Sequence, residues 1–396
     1  MSELKKLLER AISAFPEHIF TVLEDAKKLG QKPVVCVGMS GGVDSSVSAY
    51  ILKEAGFHVV GVFIKTWQPK GMVCTWKDDR RDAMRVAAQL GIPFRTIYLE
   101  EEYKKHVADY MIREYAAGRT PNPDVMCNKY VKFGAFYDAA IGEGADFVAT
   151  GHYAKSKTVQ VSRKQETHTV LAKAKDEIKD QTYFLWAMGQ EKVFRTIFPI
   201  GALTKQEVRQ IASEIKLPVF DKKDSQGVCF IGKLDMKEFL GKEIETRQGI
   251  VRDIKGAEVG VHDGAVLYTI GERHGFTLYT NTPDMEPHFI IKKDLIHNEL
   301  VVGLQKDLLA VQSATEIHLS DVLLYTHIQT KTKLKARIRH RQELQDVQVE
   351  PYVDEELHAG ALLLKVQFKK AQQGVASGQS CVLYDGELCI GGGIIM

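Results

Sequence analysis

The chain has 396 residues, 44% of them apolar and 26% charged, and 53 Lys and Arg against 51 Asp and Glu leave a net charge of only +2. That length suggests two or three domains with ample core, while the ordinary composition and the lack of an apolar run of about 18 residues exclude a disordered chain and a helical membrane protein. Bulk charge announces no nucleic-acid partner, although a basic strip can hide within a neutral total. Cys36, Cys74, Cys127, Cys229, Cys381 and Cys389 include no C-x-x-C pair and are too sparse for a disulfide scaffold or a structural zinc site. The first 32 residues lack the apolar core of a secretory signal and mix Lys with Glu3, Glu9, Glu17, Glu24 and Asp25, so a reducing cytoplasm is the expected compartment.

In chain order, Leu4, Leu7, Leu8, Ile12, Phe15, Ile19, Leu23 and Ala26 recur mostly at three- and four-residue steps. That spacing predicts one amphipathic helix, or two broken near Pro16, as an extension over residues 1–32. From Val34 the period changes. An apolar run over 34–39, a Gly-rich turn, a helical stretch to about Ala55 and a second apolar run over 58–64 read as strand, loop, helix, strand. A helical pattern over 78–90, a strand over 94–99, helices near 101–116 and 129–142, and a strand over 147–150 continue the alternation. The expectation is an α/β domain over 33–242 whose parallel sheet is covered by helices on both faces. Residues 153–175 read as a hairpin, and 204–215 as a helix capped by Thr204 with Glu207 completing a capping box. Beyond about 243 the helices stop, and short alternating segments divided by Gly, Asp and Asn turns predict a small β-rich linker domain over 243–307 and a C-terminal β-barrel over 308–396.

Gly38 and Met39 lead from the first strand into Ser40-Gly41-Gly42-Val43-Asp44-Ser45-Ser46, which opens the first helix of the α/β domain. Paired glycines let backbone N–H groups approach phosphate oxygens, two serines add hydroxyls, and the helix start adds its positive dipole end. The plainer reading is a tight turn capped by Asp44 or Ser45. No Gly-Lys-Ser/Thr follows, so this is not a Walker A loop, nor has it the spacing of a dinucleotide fingerprint. The loop resembles the signature of the PP-loop ATP pyrophosphatases. That resemblance implies an adenine nucleotide α-hydrolase-like fold, splitting of ATP to AMP and pyrophosphate, and a Mg2+ ion held in part by Asp44.

A second motif runs from Gly118 through Thr120, Pro121, Asn122, Pro123 and Asp124 to Cys127 and Asn128, with a carboxylate three residues before a thiol at a helix start. That position favours the thiolate, and Asp124 is placed to accept a proton. A third, Asp224-Ser225-Gln226-Gly227-Val228-Cys229, follows Lys222 and Lys223 in a turn-rich stretch that a packing cysteine does not need. Cys36 reads as strand packing, and Cys381 and Cys389 as barrel core.

These segments, together with Ala149-Thr150-Gly151-His152-Tyr153, Lys179-Asp180-Gln181-Thr182-Tyr183, Phe198-Pro199-Ile200-Gly201 and Gly378-Gln379-Ser380, resemble the tRNA-specific 2-thiouridylase family in order from Val34 to the C-terminus. The resemblance implies ATP-dependent adenylation of the C2 oxygen of the anticodon wobble uridine. Sulfur would then arrive as a persulfide on Cys229, from a cysteine desulfurase or a relay protein, with Cys127 as its partner thiol and Asp124 as base. It implies further that Ile64 and Gly151 lie at the adenosine, that Asn122, Pro123 and Asp124 touch the target base, and that His152, Lys179, Asp180, Gln181, Arg339, His340 and Gln379 meet the tRNA. A monomer and no membrane contact complete that picture. A PP-loop ligase that adenylates a small metabolite remains the alternative on the loop alone, but it leaves both cysteines without a task.

Finally, Lys331, Lys333, Lys335, Arg337, Arg339 and Arg341 alternate with Thr332, Leu334, Ala336, Ile338 and His340. If the segment is extended, all six cations share one face and form a stripe suited to RNA phosphates, the plainer alternative being a solvated edge strand.

Overall fold

Val34 to Gly38 carries no charged side chain and is rich in β-branched residues, as a strand buried on both faces requires. In a computed structural model it is the centre of the first domain. The structure describes residues 3–396 apart from 70–75, 162–165, 225–228, 230–235, 281, 283–284, 312, 330 and 354–360. Within the first 200 residues the strands are β1 (Val34–Gly38), β2 (His58–Lys65), β3 (Phe94–Tyr98), β4 (Phe147–Thr150), the hairpin β5 (Lys155–Val161) and β6 (Glu166–Ala172), and the short β7 (Thr196–Ile197). Strands β3-β2-β1-β4-β7 form an all-parallel sheet in that order. The expected helical extension is two helices, α1 (Glu3–Ser13) and α2 (Glu17–Lys28), divided at Pro16. Leu7, Ala11, Phe15 and Ile19 sink into the same core as Val35, Val37 and Val47, which welds the extension to the sheet. Crossover helices α3 (Val43–Glu54) and α4 (Trp76–Leu90) follow β1 and β2.

The middle domain is a five-stranded sheet with β8 (Gly249–Arg252), β9 (Glu258–His262), β10 (Thr277–Leu278), β11 (Phe289–Asp294) and β12 (Glu299–Gly303), ordered β10-β9-β8-β12-β11. The helices do not stop where the sequence pattern suggested. A helix over Gln305–Val311 leads out of this sheet, started by the Leu304 N–H donating to Asp307 Oδ2 at 2.9 Å, so residue 307 lies inside a connecting helix. The side-chain bond from Asp307 is a local start signal that short alternating apolar patterns obscure.

The C-terminal strands β13 (Ser313–Leu324), β14 (Thr332–Arg337), β15 (Gln345–Val353), β16 (Leu362–Gln373), β17 (Ser380–Asp385) and β18 (Leu388–Ile395) close into a six-stranded barrel, because β13 pairs with both β16 and β18. Closure removes the sheet edges. The hairpin then joins the barrel from outside, β6 pairing with β18 through Leu388–Ala172 and Cys389–Leu171. Cys381 lies in the barrel core as expected, whereas Cys389 faces the core shared with the first domain, beside Trp186 and Tyr384.

Candidate functional site

The chain leaves β1 toward one edge of the parallel sheet and β4 toward the other, so a crevice opens beyond their C-terminal ends, where ligands of such sheets bind. The loop after β1 and the turn after β4 meet there. Gly41 has φ of 74°, and a Cβ on it would run into the carbonyl oxygen of Asp79. A Cβ on Gly151 would lie 2.6 Å from the Ser45 nitrogen and 2.8 Å from the Asp44 carbonyl carbon. The two glycines thus let three chain segments pack on the start of α3, whose first amides have no carbonyl of their own helix to bond. Ser45 Oγ accepts the Ser40 N–H at 3.2 Å, and Ser46 Oγ donates to the Gly42 carbonyl at 2.7 Å, holding the loop's shape. Residues 38–46 and Gly151 are therefore one structure. Ile64 stands at the same end of the neighbouring strand, two residues past Val62, whose carbonyl accepts the Met39 N–H.

A charged ring surrounds the loop, and its pairings, with Lys205 and Arg209 among them, were not legible in the sequence. Tyr153 Oη donates to Asp44 Oδ1 at 3.0 Å, and Lys205 Nζ reaches the same oxygen at 2.7 Å. Lys205 also pairs with Asp224 at 2.7 Å, as do Lys179 at 2.7 Å and Arg209 at 3.0 Å. Burial raises the Asp224 carboxyl, but the hydrogen bonds from Lys179 and Lys205 outweigh it and pull it down to about 2. Lys222 bridges Asp79 and Asp82 at 2.9 and 2.8 Å. The signal for Lys205 was its place one residue after Thr204, whose capping box with Glu207 is formed.

For a divalent cation, Asp44 offers a single carboxylate already engaged at one oxygen, and among the described residues no cluster of three His, Cys, Asp or Glu could hold an ion unaided. That donor set fits an ion such as Mg2+ that takes one protein carboxylate and completes its shell from nucleotide phosphates and water.

Asn122, Pro123, Asp124, Cys127 and Cys229 converge beside this crevice. Asn122 caps the short helix Pro123–Met126 by accepting the Val125 N–H at 3.3 Å. Cys127 opens a π-helical stretch, Cys127–Ala135, and is fully buried. Cys229, 102 positions later, is brought against it: the Cys229 N–H donates to Asp124 Oδ1 at 3.0 Å, and Tyr103 Oη donates to the Cys229 carbonyl at 2.7 Å. Both thiols are free and hydrogen-bonded to each other. Burial pushes the Cys127 thiol up, whereas the hydrogen bond from Cys127 and then the Lys132 ammonium hold Cys229 below its ordinary value. Burial also raises the Asp124 carboxyl, partly offset by the Cys229 N–H. The pair is thus polarised, the buried thiol of Cys127 donating to the half-buried Cys229, which is held toward thiolate. The motif residues 225–228 and 230–232 around Cys229, like Cys74, lie outside the described residues.

The residues expected to meet RNA divide into two groups. Asp180 is 2% exposed and ion-paired to Arg337 at 2.6 Å, and it also accepts from the Ala174 N–H and the Thr182 hydroxyl. It fastens the barrel to the first domain, which leaves its carboxylate no surface for RNA. Gln181 accepts the Tyr153 N–H, and Gln379 donates to the Thr120 and Pro121 carbonyls at 3.0 and 3.2 Å, so both hold loops rather than face outward. His152 is buried against Thr150, and His340, half-buried, contacts the Asp180 carbonyl and the Phe184 ring. Lys179 and Arg339 remain at the surface, the first paired with Asp224 and the second donating to the Gly374 carbonyl.

The six-residue cationic stripe does not form. Strand β14 begins at Thr332 and ends at Arg337; Lys331 and Arg341 have φ of 61° and 63°, outside the extended range. Lys333 and Lys335 are exposed on the outer face, but Arg337 on that face is covered by the first domain, where Asp180 neutralises it. Period-two spacing cannot show where a strand ends or what docks on it.

Residues 33–233 match a family described as "tRNA methyl transferase HUP domain", 237–304 one described as "tRNA methyl transferase PRC-barrel domain", and 315–395 "Aminomethyltransferase beta-barrel domain". The chain is 43% identical over 368 residues to the tRNA-specific 2-thiouridylase MnmA of Pediococcus pentosaceus, covering 92% of this chain and 95% of that protein. It is 42% identical to the protein of the same name in Francisella tularensis subsp. novicida, over 91% of this chain and 99% of the relative. The relative in Lysinibacillus sphaericus is also 42% identical, over 91% and 93%.

Proposed function

The chain belongs to the tRNA-specific 2-thiouridylase family, and from that premise we propose that it 2-thiolates the wobble uridine of tRNA by adenylation followed by transfer of sulfur from a cysteine persulfide. ATP use accords with the phosphate loop of this family. In the proposed reaction the uridine C2 oxygen attacks the α-phosphorus, pyrophosphate leaves into the cradle of Ser40 to Ser46, and C2 gains AMP as its leaving group. The helix start, with Lys205 and Lys179 released from Asp224, would hold the phosphates. Asp44 would supply one oxygen to Mg2+, which neutralises phosphate charge when bound.

Sulfur enters at Cys229. The observation that carries this assignment is the polarised thiol pair: Cys229 is the half-buried member held toward thiolate, whereas Cys127 is sealed in the core. A thiolate that a donor can reach takes up sulfur, and a neighbouring thiol displaces it. Cys127 attacks the inner sulfur of the Cys229 persulfide, a disulfide forms between them, and hydrosulfide departs to attack C2, expelling AMP with the former carbonyl oxygen. Asp124, bonded to the Cys229 N–H, is the nearby base for the proton released. The disulfide is reduced by an external thiol before the next turnover. Methyl transfer, which the domain descriptions name, would leave two apposed thiols idle.

We infer a persulfide-bearing donor protein, a monomeric enzyme and a cytoplasmic setting; among the described residues no helix is long and apolar enough to cross a membrane. The test incubates the protein with ATP, Mg2+, a persulfide donor and unmodified tRNA. AMP and 2-thiouridine should both appear; adenylation of a free metabolite without tRNA would sink the reading.

A further inference from the structure

Beside the two thiols stands a charged group to which the reaction above gives no task. Lys132 lies five residues after Cys127 in the π-helical stretch, whose wider turn brings their side chains closer to one face than an α-helix would. In an α-helix, at 100° per residue, they would diverge. A lysine in such a core normally sheds its proton, since burial penalises the ammonium. Here burial is outweighed by the charge of Cys229, a hydrogen bond to Cys229 and the Asp124 carboxylate, and the net effect raises Lys132 above its ordinary value. Its Nζ lies 3.4 Å from His152 Nε2, and His152 Nδ1 is 2.7 Å from Thr150 Oγ1. An ammonium only donates, so Nε2 accepts and the ring proton sits on Nδ1, directed at Thr150. His152 adjoins Gly151, which packs on Ser45 of the phosphate loop. The sulfur and phosphate sites are thus joined through one short chain of contacts.

We propose that Lys132 keeps Cys229 as the thiolate that takes up sulfur, its ammonium lodged against the paired sulfurs, Asp124 and His152. This rests on the reading of Cys229 as sulfur acceptor. The Cys229 thiolate attacks the outer sulfur of the donor persulfide; the donor's S–S bond breaks, a new S–S bond forms on Cys229, and the donor leaves as a thiolate carrying the bonding pair. No oxidant is consumed: the proton of the donor persulfide stays on the transferred sulfur, and the negative charge of Cys229 leaves with the donor thiolate. The titratable groups around the pair are Tyr103 and Asp124 from the preceding helices, Cys127 and Lys132 from the π-helical stretch, His152 after β4 and His340 from the barrel. Of these, Lys132 alone is cationic at neutral pH, because burial pulls both histidines down and the Tyr103 phenol up. Asp124 opposes it, pushing Cys229 back toward the thiol.

The rate of Cys229 alkylation by iodoacetamide as a function of pH, followed on the Cys229 peptide by mass spectrometry, tests this. In the unaltered protein the midpoint should fall below the free-thiol value of about 8.5. Lys132→Gln should raise the midpoint by at least about one pH unit and slow alkylation at pH 7 about tenfold, and Lys132→Arg should restore the low midpoint. A folded Lys132→Gln protein with an unchanged midpoint would overturn the proposal. Should that variant not fold, Cys127→Ala decides: it removes the hydrogen-bond donor but leaves the ammonium, so the midpoint must stay below about 8.5, and a value at or above it overturns the role of Lys132. A shifted midpoint with no persulfide on Cys229 after incubation with a donor supports the thiolate role and removes the sulfur-carrier reading instead, so the two failures are distinct.

Discussion

The phosphate loop and the thiol pair lie close together in the first domain, yet they are built in opposite ways. The loop is one continuous run, Ser40 to Ser46, whose glycines, serines and helix start are consecutive in the chain. The thiol site draws Tyr103, Asp124, Cys127, Lys132, His152 and Cys229 from four separate stretches of chain, and Asp124 and Tyr103 both bond the backbone of Cys229 to hold it there. A contiguous site depends on local backbone geometry. An assembled one depends on every contact that holds its distant parts, including the docking of the barrel through Thr120, Pro121 and Gln379.

Perturbations of the two regions should therefore differ in kind, and the largest effect is expected at the thiols. Cys229→Ser should lower thiolation at least about 1000-fold, as loss of a nucleophile that acts as part of a unit does, while tRNA-dependent AMP release stays measurable; assays of 2-thiouridine and AMP on one sample check both. Next comes the buried fastening between the domains. Arg337→Ala strands Asp180 in the core and should cost about 3–5 kcal/mol, as breaking one side of a buried pair does, seen as a lower urea midpoint. Gly151→Ala comes third: its Cβ would press on the Ser45 amide nitrogen at 2.6 Å, so overpacking of about 1–3 kcal/mol should fall mainly on the ATP-dependent step, with the alkylation profile of Cys229 unchanged. The smallest effect is expected on the surface. Arg339→Ala with Arg341→Ala should reduce the salt slope of tRNA binding by no more than about two, because the broken stripe leaves these as separate cations; a larger drop would restore a continuous RNA-binding face.

How much of this was legible in the sequence follows from the same contrast. The apolar runs of β1 and β2, the break of the N-terminal helices at Pro16, the capping box at Thr204 and the Gly-rich turn between β1 and α3 are local signals, and each is formed as expected. Lys132 was invisible because its partnership with Cys127 has a period of five, which neither the helical nor the strand template seeks. Asp180 looked like a surface residue of a polar motif, but Arg337, 157 positions away, draws it into the core. The pairing of Lys205 with Asp224 was likewise hidden, since an ion pair between distant segments leaves no spacing to read.

The central claim is that one reaction couples ATP cleavage to sulfur transfer from Cys229 onto tRNA. A single-turnover reaction with enzyme preloaded with labelled persulfide sulfur, ATP, Mg2+ and unmodified tRNA tests it directly. Label should leave the Cys229 peptide and appear in 2-thiouridine in step with AMP, one for one. Label retained on Cys229 while AMP accumulates, or 2-thiouridine formed without ATP, would contradict it.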